Sequence, residues 1–94
     1  MTVEIALCDD EPAELTKTEK ILGAYEKKHP EADFKIERFE SANKLLGMVR
    51  DGTYSPHLIF IDIYMPEEET GESLPIGIEA ARRLRDMGST AKLF

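Results

Sequence analysis

Cysteine is almost absent from this sequence. Its single thiol, Cys8, cannot close an internal disulfide or build a cysteine-rich zinc site, and a chain of that kind suits a reducing compartment, so the cytoplasm is the expected location. Basic charge is also short: 12 Lys and Arg stand against 19 Asp and Glu, a net charge of −7 and a pI near 4.8. Such a surface repels phosphate backbones and anionic lipid headgroups, which argues against direct nucleic-acid binding by these residues. Long hydrophobic runs are missing. The apolar stretches Ile5 to Cys8 and Leu58 to Ile61 hold four residues each, against the roughly 18 that cross a bilayer, and Glu4 spoils a secretion signal. No membrane segment is expected. Tryptophan is absent, and Pro and Gly number only 5 and 6, which excludes collagen-like and low-complexity chains. What remains is 41% apolar and 33% charged over 94 residues, the composition of one folded domain, since independent domains take roughly 100 to 200 residues.

Val3 to Cys8 and Leu58 to Ile63 are nearly all apolar and rich in β-branched residues, as in strands covered on both faces of a parallel sheet. They are the expected first and third strands. Between them, Pro12 to Lys28 places Leu15, Thr18, Leu22 and Tyr25 at helical steps, with Pro at its start and His29-Pro30 at its stop; Tyr25 is expected to face the core. Phe34 to Phe39 mixes apolar and charged residues, as an edge strand does. Ser41 then caps a short helix carrying Ala42, Leu45, Leu46 and Val49, closed by Asp51-Gly52. Ile78 to Met87 repeats the helical pattern through Ile78, Ala81, Leu84 and Arg85 up to Gly88, and Ala91 to Phe94 opens a fourth strand. The alternation predicts an α/β, doubly wound parallel sheet, with ligands at the carboxyl ends of its strands. A dinucleotide or P-loop site needs glycines after the first strand, where this sequence has Asp9-Asp10-Glu11-Pro12.

Asp9 and Asp10 end the first strand and Asp62 lies at the end of the third. Neighbouring strands sit about 4.8 Å apart, so the carboxylates converge on one crevice if the first and third strands are neighbours. At a separation near 5 Å and an effective dielectric near 20, each pair repels by roughly 3 kcal/mol, and three pairs by on the order of 10. Either one carboxyl stays protonated or a hard cation sits among them. Mg²⁺, which takes one or two carboxylates, a carbonyl and waters, is the favoured answer. An Asp or Glu before Pro12 is an ordinary helix cap and an Asp ending a strand an ordinary turn residue, but a cap needs one acid, not a consecutive pair plus Asp62.

Ile5-Ala6-Leu7-Cys8-Asp9-Asp10-Glu11-Pro12, Phe39-Glu40-Ser41-Ala42 and Leu58-Ile59-Phe60-Ile61-Asp62-Ile63-Tyr64-Met65-Pro66 closely resemble the receiver domain of two-component response regulators. The Cys-Asp-Asp-Glu-Pro start looks most like regulators with a LytTR-type DNA-binding output. The resemblance implies a flavodoxin-like fold with strand order 2-1-3-4, Asp62 as phosphoacceptor, Asp9 and Asp10 holding Mg²⁺ together with Asp62, and the Tyr64 backbone carbonyl as a further ligand. It implies a sensor histidine kinase as phosphoryl donor and a transcriptional output, a signalling module and not an enzyme in its own right.

Two departures bear on this. Receivers carry a Ser or Thr ending the fourth strand and a Lys ending the fifth, whereas Phe94 is the last residue here. Residues 1–94 are therefore expected to be an incomplete receiver without its fifth strand or output domain, and its open edge invites a homodimer. The stretch from Pro66 to Gly77 is also longer than the family's, and its Glu67, Glu68, Glu69 and Glu72 read as a solvated acidic loop. His29 and His57 read as surface residues and Cys8 as a buried strand side chain. Two other function classes compete: an Mg²⁺-dependent phosphatase with an Asp nucleophile, whose Asp-x-Asp pattern is broken by Tyr64, and a receiver-like interaction module that is never phosphorylated.

Overall fold

A computed structural model describes residues 2–62, 65–66, 73–74 and 76–94. Four strands, β1 (Thr2–Cys8), β2 (Asp33–Phe39), β3 (Leu58–Ile61) and β6 (Lys92–Leu93), form one parallel sheet in the order β2-β1-β3-β6. This is the 2-1-3-4 order of a flavodoxin-like α/β fold. Three helices connect them: α1 (Pro12–Lys28), α2 (Ala42–Arg50) and α3 (Ile76–Asp86). A two-stranded antiparallel ribbon pairs β4 (Met65–Pro66) with β5 (Ser73–Leu74) inside the long segment before α3. Among the described residues, no helix is long and apolar enough to cross a membrane.

The pleat of β1 sorts the core into two layers, because successive side chains point to opposite faces. Ile5 and Leu7 pack with Leu15 of α1, joined by Phe34, Ile36, Leu58 and Phe60. Ala6 and Cys8 turn the other way, into a larger cluster with Leu45 of α2, Ile59 and Leu84 of α3. Helices therefore lie on both sides of the sheet, and β1, flanked by β2 and β3, is apolar on both faces. The edge strand β2 leaves Lys35, Glu37 and Arg38 exposed, as its charges require. Gly52 and Gly88, at φ of +75° and +86°, follow α2 and α3 in the left-handed conformation that a helix stop commonly uses.

Two expectations about helix faces need correcting. Tyr25 does not face the core: it is 51% exposed and stacks flat on the His29 ring at 4.0 Å, with Phe34 at 5.9 Å. Ile78, read as part of the buried stripe of α3, is 61% exposed. The buried stripe is Gly77, Ala80 and Leu84, so it runs through the expected Leu84 but leaves Ile78 outside it.

Candidate functional site

β1 and β3 run parallel in the register Ile5 to Leu58, Ala6 to Ile59, Leu7 to Phe60 and Cys8 to Ile61. Residues that follow both strands must then emerge side by side. Two backbone bonds continue the ladder past the strand ends: the Asp62 N–H donates to the Cys8 carbonyl at 3.0 Å, and the Asp9 N–H donates to the Phe39 carbonyl at 3.0 Å. Asp62 is thus locked beside Cys8 and Asp9 by the sheet itself.

The three predicted acids meet. Asp9, Asp10 and Asp62, each half-buried, offer carboxylate oxygens that all lie within 4.8 Å of one another. Asp9 also accepts the Glu11 N–H on Oδ1 at 3.0 Å, closing a turn that leads the chain into α1. The N-cap of α1 is Glu11, which makes no side-chain cap bond, so Asp9 closes the turn before the helix rather than capping it, and the meeting of the three carboxylates is left to be explained. The Tyr64 carbonyl and Glu67 to Glu72 lie outside the described residues. Glu14, which the sequence reading did not place here, lines the same groove of about 210 Å³ with Thr18, Phe60 and Phe94; its place one turn inside α1, after Pro12, was the available signal.

Electrostatics mark the site as overcharged. Burial raises the Asp9 carboxyl above its ordinary value, the Glu11 N–H pulls it back, and the charges of Asp62, Asp10 and Glu14 add to the rise. Beneath the acids, burial pushes the Cys8 thiol up to about 12, assisted by Asp9, Asp62 and Asp10. A thiol held neutral in this way is an inert core side chain rather than a nucleophile. Ligand oxygens of an octahedral Mg²⁺ at about 2.0 to 2.1 Å from the ion stand roughly 3 to 4 Å apart. A cluster within 4.8 Å is close to that spacing, and the all-oxygen, multiply anionic donor set suits a hard cation. The residues present fit Mg²⁺.

Neither histidine joins this edge. His57 sits at the amino end of β3, where its N–H donates to the Glu4 carbonyl at 2.8 Å and its Nδ1 accepts the Glu4 N–H at 2.9 Å. His29 closes α1, its backbone N–H donating to the carbonyls of Tyr25 and Glu26. Comparison with protein-family models, curated proteins and solved structures finds no match for the chain.

Proposed function

We propose that this chain is a phospho-accepting receiver module, in which Asp62 takes a phosphoryl group from a phosphohistidine of a sensor kinase with Mg²⁺ held by Asp9, Asp10 and Asp62. The observation that carries the reading is the meeting of three carboxylates within 4.8 Å at the carboxyl ends of adjacent parallel strands, the position where open α/β sheets bind ligands. The sequence resemblance to receivers and the 2-1-3-4 strand order support the same reading.

Bound Mg²⁺ would supply positive charge to offset the carboxylates and the incoming phosphoryl oxygens. The chain's own residues do the rest. The Asp62 carboxylate oxygen forms the new P–O bond as the donor's P–N bond breaks, and the departing imidazole nitrogen takes up a proton. The backbone bond from Asp62 to Cys8 holds the Asp62 main chain beside the end of β1, from which Asp9 and Asp10 emerge. The product is an aspartyl phosphate, and its added charge of about −2 is the signal. A regulated output through a DNA-binding partner domain belongs to the same proposal.

Treatment with a small acyl phosphate and Mg²⁺, followed by intact-mass measurement, tests it. One phosphoryl group, labile to hydroxylamine and lost in Asp62→Asn, is the expected result. Undiminished labelling of Asp62→Asn overturns the assignment, and steady hydrolysis of a phosphate ester would move the chain to the phosphatase class.

A further inference from the structure

The two histidines lie away from the acid site, and their ring nitrogens face opposite chemistry. His57 Nδ1 is 2.9 Å from the Glu4 backbone nitrogen. That nitrogen carries a proton to donate, so Nδ1 is the bare, accepting nitrogen and the ring's own proton sits on Nε2. His29 Nδ1 is instead 3.0 Å from the Tyr25 carbonyl oxygen, which can only accept, so there Nδ1 carries the proton. A second proton acts differently on the two bonds. On His29 it goes to Nε2 and leaves the bond to Tyr25 in place. On His57 it occupies the lone pair that Glu4 uses, and donor then meets donor. The His57 ring is exposed, so water is at hand to solvate it once it is charged.

His57 is also a junction of the sheet. Its N–H donates to the Glu4 carbonyl at 2.8 Å and its carbonyl accepts the Lys92 N–H at 2.9 Å, so one residue ties β1, β3 and β6 together at their amino ends. We propose that His57 is a proton-operated clasp: the neutral ring holds Glu4 and closes the amino edge of the sheet, and protonation releases Glu4 and loosens β6. The titratable and charged groups on the adjoining elements are Glu4 of β1, Lys35 and Glu37 of β2, Lys92 of β6 and the Tyr54 phenol in the segment before His57. Carboxylates, ammonium groups and phenols ordinarily keep their protonation state between pH 5 and 8, whereas imidazole changes there. Glu4, which pairs with Lys35 at 4.0 Å, attracts a charged ring, and Lys35 and Lys92 repel it. These charges govern where the released ring settles, but none restores the lone pair to Nδ1. The acid cluster lies at the other end of the strands, roughly 16 Å from Glu4 along β1 at about 3.3 Å per residue. The clasp therefore does not depend on the receiver reading.

The test follows the backbone amides of the full, isotope-labelled chain from pH 8 to pH 5. In the parent, the Glu4 amide proton should move upfield and lose exchange protection roughly five-fold once the intrinsic pH dependence is removed, the worth of one ordinary hydrogen bond. The Lys92 amide should weaken with it. His57→Asn offers a side-chain oxygen where Nδ1 stood and carries no proton to titrate, so its Glu4 amide should stay level across the range. His57→Ala should show the released Glu4 amide at every pH. A Glu4 amide that stays level in the parent, or that responds equally in His57→Asn, overturns the proposal. A Lys92 amide that keeps its protection while Glu4 lets go overturns the link to β6.

Discussion

At the scale of single residues, Tyr54 shows what an orphan polar group does. It is 9% exposed, lies against Phe39 at 5.8 Å, and among the described residues its hydroxyl has no hydrogen-bond partner. An unpaired buried hydroxyl loses its water without replacing it, a penalty of about 1 to 3 kcal/mol. Tyr54→Phe should therefore leave stability at neutral pH unchanged or raise it by up to about 1 kcal/mol in a denaturant titration. Burial, with the charges of Glu37 and Glu4, also lifts the phenol from 10.0 to about 12. Because the folded state holds this proton more tightly, the contribution is complete below pH 10.0 and is lost as pH rises toward about 12. Unfolding curves from pH 9 to 11.5 should steepen their decline above 10 in the parent and lose that added slope in Tyr54→Phe. An unaltered alkaline slope would place the titrating group elsewhere.

At the scale of elements, α3 separates two kinds of contribution. Leu84 is fully buried, whereas Ile78 is 61% exposed. Leu84→Ala should cost about 2 to 5 kcal/mol through lost burial and a residual cavity, and Ile78→Lys less than about 0.5; equal losses in chemical denaturation would restore the helix phase that the sequence suggested. The exposed side of α3 carries Glu79, which accepts hydrogen bonds from Arg82 and Arg83 and is lowered from 4.5 to about 2. A depressed carboxyl contributes above its unfolded value and is lost as pH falls from 4.5 toward about 2. Thermal midpoints should fall more between pH 5 and 2.5 in the parent than in Glu79→Gln, by a modest margin for so exposed a group. The phase of α3 was hidden because a bulky isoleucine outweighs glycine and alanine in a hydropathy pattern, although Gly77 and Ala80 are buried and Ile78 is exposed. The span of α1, by contrast, was readable to the residue from Pro12 and the His29-Pro30 stop. The β4–β5 ribbon had no such signal, since two-residue strands containing Pro66 carry neither alternation nor length.

At the scale of the molecule, the strand order turns a sequence pattern into a site. Asp9, Asp10 and Asp62 were legible because a cap or a turn accounts for one acid but not for a consecutive pair plus a third at the end of another apolar strand. Their mutual distance was not, because it depends on β1 and β3 being neighbours in register. That register also dictates how the whole fold responds to a cation. Three half-buried carboxylates held within 4.8 Å repel in the folded state and disperse in the unfolded one, so a ligand that neutralises them binds the native chain preferentially. The gain follows RT ln(1 + [L]/Kd), under about 1 kcal/mol near the dissociation constant and about 1.4 at ten times it. Mg²⁺ in the millimolar range should accordingly raise the thermal midpoint of the parent by a few degrees. Asp10→Asn removes one member of each of two repelling pairs. It should be more stable than the parent without Mg²⁺, by on the order of 1 kcal/mol after solvent screening, and should gain nothing when the ion is added. Calorimetric scans of both proteins across a Mg²⁺ series decide the matter: parallel rises would remove Asp10 from the ligand set, and a parent that ignores the ion would leave the acids as a solvated edge.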